Sequence, residues 1–164
     1  MSALLFTTIG MIAILVSHNF YWTGPRIGGK ENTSPKSFHA LFGVLSYGLL
    51  VVQVLNPLLR CGPNERNRIY FNWIHRILGM TSFLLATGTI TIAAKFFGKH
   101  FTDPKNAEIM LYVFYGIIVL CVLINEMSLR LKLRKTIMFI TLIVLFVFSI
   151  VVCSYISALI ITAP

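Results

Sequence analysis

Residues 137–152 read IMFITLIVLFVFSIVV, a stretch with no charged residue and no period-2 alternation. A strand of a membrane barrel alternates lipid-facing and lumen-facing side chains, whereas this run is apolar on every face of a helix. With its flanks it covers 136–162, enough at 1.5 Å per residue to cross the roughly 30 Å of bilayer hydrocarbon. Backbone inside hydrocarbon must satisfy its own hydrogen bonds, so the segment is predicted to be a transmembrane helix.

Four more apolar stretches lie upstream, at about 3–22, 37–59, 71–97 and 107–129. The 164 residues are 57% hydrophobic and only 12% charged, and mean hydropathy is +0.82. A soluble domain carries about a quarter charged residues, so that class is excluded. Three cysteines, Cys61, Cys121 and Cys153, are too few and oddly numbered for a disulfide framework. The predicted fold is an all-α polytopic membrane helix bundle of about five transmembrane helices, with 1–164 as one membrane domain. The start, MSALLFTTIGMIAILVSHNF, lacks a basic n-region and a small-residue cleavage site, so it is expected to be a retained span.

The connections are short. TGPRIGGKENTSPK is rich in turn formers, with Gly28-Gly29 as a flexible turn and Ser34-Pro35 as a boundary before span two. Fourteen Lys and Arg against five Asp and Glu give a net charge of +9. In a soluble chain that excess would suggest nucleic acid, but in a mostly apolar chain it marks membrane loops and no nucleic-acid partner is expected. Arg60, Arg66, Arg68, Arg76, Arg130, Lys132, Arg134 and Lys135 share the N-terminal side, against Arg26, Lys30, Lys36, Lys95, Lys99 and Lys105 opposite. Eight against six favours a cytoplasmic N-terminus, with the Arg130–Lys135 cluster as a positive-inside anchor.

Of the four histidines, His100 sits in the polar connection GKHFTD. His39 and His75 occur as SFHALFG and WIHRILG, each giving His-x-x-x-Gly near the start of a span. Spacing by four puts Gly43 beside His39 and Gly79 beside His75 on one helical face. A glycine there admits either a flat porphyrin ligated by the histidine or the backbone of a neighbouring helix. Spans two and three run in opposite directions, so the two imidazoles should lie near opposite membrane faces. They could therefore serve two stacked haems, but not share one. Gln53 and Asn56-Pro57, late in span two, could hydrogen-bond across helices or kink the span. Glu126 at the end of span four reads as an interfacial carboxylate. No Cys-x-x-Cys, His-Glu-x-x-His, Gly-x-Ser-x-Gly or phosphate-binding glycine loop is present.

At these residues the sequence resembles the cytochrome b561 family, particularly its ferric-chelate-reductase-like branch associated with DOMON domains. SFHALFGVLSYGLLVVQVLNPLLR is similar to the family's third histidine helix, through His39, Gly43, Gln53, Pro57 and Arg60. RNRIYFNWIHRILGMTSFLLATGTITIA is similar to its fourth, through Asn72, Trp73, His75, Arg76 and Gly79. Residues 1–129 would form a partial b561-like core, with 136–162 an added final span.

The resemblance implies transmembrane electron transfer through one or two haem b groups, with His39 and His75 as axial ligands of the iron. Ascorbate would be the donor, and ferric iron or monodehydroascorbate the acceptor. In the family four histidines on four successive helices ligate two haems, the first pairing with the third and the second with the fourth. Here the first histidine helix has no counterpart, and Met1 falls about where the second helix carries its histidine. The chain is thus expected to be an N-terminally truncated form, one completed by a second copy or a membrane partner, or a haem-free structural subunit that keeps the fold. Within the chain, His18 could replace the partner of His39, or could be an interfacial histidine beside Tyr21 and Trp22. A channel or carrier is disfavoured, because no inverted repeat or acidic ring is visible.

Overall fold

The computed structural model describes residues 2–26, 33–59, 62, 65, 67–128 and 134–163. Arg60, Arg66, Gly28-Gly29, Lys30, Met1, Cys61 and positions 130 and 132 of the basic cluster lie outside the described residues. Five α-helices follow in chain order: α1 (Ser2–Ser17), α2 (Pro35–Leu55), α3 (Arg68–Phe96), α4 (Pro104–Ser128) and α5 (Arg134–Ile161). No strand occurs among the described residues. Four helices, α2 to α5, are long and apolar enough to cross a bilayer. The fold is an all-α helical membrane bundle, as composition predicted.

α1 departs from the expected first span of 3–22. Its 16 residues reach only about 24 Å. The helix stops because the chain turns left-handed at Asn19 (φ 49) and Phe20 (φ 57). Phe20 N–H donates to Leu15 O at 2.7 Å and Asn19 N–H to Val16 O at 3.0 Å. That pair of bonds is a Schellman cap, with asparagine in the position where a left-handed backbone is tolerated. His18 is the last half-helical residue before it.

The other boundaries follow local chemistry. Ser34 accepts from Ser37 N–H at 3.2 Å, with Pro35 at the first helical position of α2. At the far end, the residue before Pro57 closes the helix: Asn56 N–H donates to Val52 O, and 56–59 continues as a single 3-10 turn. Asp103 caps α4 through Asn106 N–H at 3.0 Å, again followed by proline.

The chain divides into two compact units, Met1–Ala93 and Ala94–Pro164. In the first, α1 meets α2 through Thr8 Oγ1 and Tyr47 OH, 3.0 Å apart. In the second, α4 and α5 form an antiparallel hairpin around buried Ala107, Leu111, Cys121, Ser128, Thr141 and Val152. Phe114 stacks on Phe148 at 6.2 Å, and Thr102 and Thr162 hydroxyls meet at 2.7 Å. Large apolar side chains stay exposed along the helices, Phe6 at 71% and Phe146 at 66% among them. In hydrocarbon that exposure carries no hydrophobic penalty, so small and polar residues do the interhelical work.

Candidate functional site

α2 and α3 are antiparallel, and their polar contacts keep one register. His39 Nδ1 is 2.9 Å from the Thr89 carbonyl. Halfway along, Ser46 Oγ donates to the Ser82 carbonyl at 3.1 Å and Ser82 Oγ returns a bond to the Ser46 carbonyl at 3.0 Å. Near the other end, Gln53 Nε2 donates to the His75 carbonyl at 2.8 Å. Fourteen residues separate His39 from Gln53 on α2, and fourteen separate His75 from Thr89 on α3. Both helices therefore put the two histidines about 21 Å apart along the axis. Such a separation matches the expectation of one imidazole toward each end of the pair.

The two imidazoles differ in chemistry. A carbonyl can only accept, so His39 carries its proton on Nδ1 and, when neutral, its lone pair on Nε2. An imidazole anchored through Nδ1–H to a backbone carbonyl is the arrangement that orients a histidine for metal ligation. His39 is half-buried, early in α2. His75 is exposed and lies nearly parallel to the Phe71 ring, with centroids 6.2 Å apart and planes at 10°. Asn56 Nδ2 stands 3.5 Å from His75 Nδ1.

The glycines paired with these histidines both meet the neighbouring helix. A methyl group built on Gly43 would lie 3.6 Å from Thr89 Cγ2, an ordinary contact. One built on Gly79 would lie 2.6 Å from Gln53 Nε2, which no real side chain tolerates. Gly88 likewise receives the Phe42 ring at 3.5 Å. The space that Gly79 opens is thus occupied by the Gln53 amide. Its Oε1 is buried with no hydrogen-bond partner.

His18 is exposed at the end of α1, and His100 is exposed on a 3-10 turn, stacked on Phe97 at 6.3 Å. Among the described residues no three His, Cys, Asp or Glu side chains gather into a metal cluster. For haem, the donor chemistry fits at His39, an imidazole oriented by its Nδ1 bond to a backbone carbonyl. It does not fit a macrocycle against Gly79 while Gln53 keeps its place. Glu126 is exposed, as expected of an interfacial carboxylate.

One polar group went unrecognised as a helix contact in the sequence. Asn125 Nδ2 donates to Cys121 O at 3.0 Å and to Thr141 Oγ1 at 2.8 Å, tying α4 to α5. An amide and a hydroxyl inside two strongly apolar spans were the available signal.

The likenesses to known proteins agree with this geometry. Over 87 residues the chain is 31% identical to a Drosophila melanogaster protein named as a candidate ferric-chelate reductase 1 homolog, covering 53% of this chain and 13% of that protein. It is 30% identical over 102 residues to a cytochrome b561 and DOMON domain-containing protein of Arabidopsis thaliana, 62% of this chain and 24% of the relative. A second Arabidopsis protein of that description matches at 30% over 108 residues, 63% and 25% respectively. These likenesses support a cytochrome b561-like family. No family model matches the chain. No solved structure matches it. The chain spans a quarter or less of the length of these relatives. Their names point to b561-type electron transfer or ferric reduction, and the b561 family is one of haem b proteins.

Proposed function

We propose that the chain is the b561-like membrane part of a transmembrane electron carrier of the ferric-reductase or ascorbate-dependent type. The observation that supports this reading is the hydrogen bond from His39 Nδ1 to the Thr89 carbonyl, the kind of anchor that orients an imidazole for ligation through its other nitrogen. In it, His39 would hold one haem b near the start of α2, and His75, some 21 Å along the helix pair, would hold a second. When bound, haem supplies a one-electron redox centre that no side chain of this protein provides. The protein's own contribution is to orient His39, to hold α2 and α3 in one register, and to keep water from the space between them. Because Gln53 fills the recess at Gly79, ligation by His75 requires its amide to swing away from the His75 carbonyl. The opposing ligands would come from a further helix that carries a histidine, in a second copy or a membrane partner, or from His18 in the case of His39. The N-terminus is on the cytoplasmic side in this proposal, with ascorbate as donor and ferric iron as acceptor.

A haem-free structural subunit is the second reading. It is favoured by the Gln53 amide seated on Gly79 and by the reciprocal Ser46–Ser82 bonds, which close the helix pair with protein alone.

A reduced-minus-oxidised absorption spectrum of the purified full chain separates the two, recorded alone and after co-expression with a b561 helix that supplies a histidine. The electron-carrier reading expects a b-type signal in at least one preparation, lost in His39→Ala and retained in His100→Ala. Colourless protein in both preparations would leave the structural reading standing.

A further inference from the structure

α3 carries a second feature, on a different face from its histidine. A cleft of about 170 Å³ is lined by Ile69, Asn72, Trp73 and Arg76, and among the described residues no carboxylate lines it. These positions are spaced i, i+3, i+4 and i+7, so they form one helical stripe. At 100° per residue the stripe is turned roughly a third of a turn from the line of His75, Gly79 and Ser82 that meets α2. Trp73 and Ile69 are exposed. Arg76 makes no hydrogen bond or ion pair among the described residues.

The position of Arg76 along α3 decides what it meets. Between Arg76 and Lys95 lie eighteen uncharged residues. They span about 27 Å, close to the thickness of bilayer hydrocarbon. Arg76 therefore stands at the boundary of one leaflet, level with lipid phosphates, and Lys95 at the other. An unpaired guanidinium within hydrocarbon is expensive and reaches for the headgroup layer. Its planar fork matches two phosphate oxygens. Asn72, one turn toward the water, offers an amide donor to the same headgroup, and an exposed indole belongs at that depth.

We propose that Asn72, Trp73 and Arg76 form a binding site for the headgroup of an anionic phospholipid in the leaflet where α3 begins. The cleft presents one uncompensated positive charge, and a lipid with net negative charge neutralises it where a zwitterionic one does not. This proposal is independent of haem.

The sequence contains only two tryptophans, Trp22 and Trp73. Trp22→Phe leaves Trp73 as a built-in reporter. The full chain carrying that change is reconstituted in vesicles containing phosphatidylglycerol or phosphatidylcholine brominated near the headgroup end of the acyl chains. Brominated phosphatidylglycerol is expected to quench Trp73 at lower mole fraction than brominated phosphatidylcholine, and the preference should shrink as salt is raised. Arg76→Gln should reduce the preference about fivefold, the factor expected for one basic contact at a charged surface. Lys95→Gln, which removes a charge from the other end, should leave it unchanged. Circular dichroism checks that both variants stay helical, and the salt series tests the unmutated cleft directly. Equal quenching by the two lipids, or a preference that survives Arg76→Gln, overturns the proposal. Protection from both brominated lipids also overturns it, because a protein surface would then cover the stripe.

Discussion

Substituting Gly79 by alanine is the most informative single change in the α2–α3 pair. The new Cβ would sit 2.6 Å from Gln53 Nε2, so the amide must retreat by about 0.8 Å to reach the 3.4 Å at which ordinary contact begins. Nε2 is the far end of a flexible side chain, so the backbone need not move. What is lost is the 2.8 Å bond from Nε2 to the His75 carbonyl. Hydrogen bonds between membrane helices are worth about 0.6–2 kcal/mol, while replacing glycine by alanine within a helix returns up to about 1 kcal/mol. Gly79→Ala alone is therefore expected to be nearly neutral or to cost about 1 kcal/mol. The sharper quantity is its coupling to Gln53. With Gln53→Ala already present, the Cβ finds open space and Gly79→Ala should become stabilising. A double-mutant cycle, measured by reversible unfolding in detergent micelles, should then show a coupling of about 1 kcal/mol or more. If Gly79→Ala has the same effect in both backgrounds, Gln53 is not what the glycine accommodates, and a role as a porphyrin cradle regains ground.

Other perturbations test the remaining contacts. Ser46→Ala and Ser82→Ala should each destabilise the pair by about 0.6–1.7 kcal/mol, and the double variant should show non-additivity in the same unfolding assay. Thr141→Val should cost about 1–3 kcal/mol by leaving the Asn125 amide short of an acceptor, whereas changing both residues to apolar ones of similar size should restore most of the loss. Asn19→Val puts a β-branched residue at φ 49, costing about 1–2 kcal/mol at the end of α1. Faster amide hydrogen exchange at Phe20, whose N–H closes the cap, is the expected sign.

The membrane fold was legible because it depends on additive properties. Runs such as 137–152 are too apolar for water and too long for any element but a spanning helix, whatever their neighbours do. Boundaries written in local chemistry, Ser34-Pro35 above all, were readable for the same reason. The end of α1 was not. Asn19 adopting a left-handed turn is one local option among several, and the aromatic Phe20, Tyr21 and Trp22 beyond Ser17-His18-Asn19 extend the apolar stretch past the break.

The candidate site divides along the same line. The pattern His-x-x-x-Gly puts Gly43 beside His39 and Gly79 beside His75, since helical spacing alone sets which residues share a face. It left open what each glycine receives, because a glycine opens the same room to a ring, a side chain or a backbone. Only the packing of α2 on α3 showed that the Gln53 amide lies on Gly79, twenty-six residues away in sequence. The proton on His39 Nδ1 is likewise a property of the carbonyl opposite it, fifty residues distant. Composition and periodicity determined by themselves that this chain lives in a bilayer as helices with two histidines toward opposite ends. Which nitrogen His39 turns to the Thr89 carbonyl was decided by tertiary structure, because that depends on a partner brought close only by the antiparallel register.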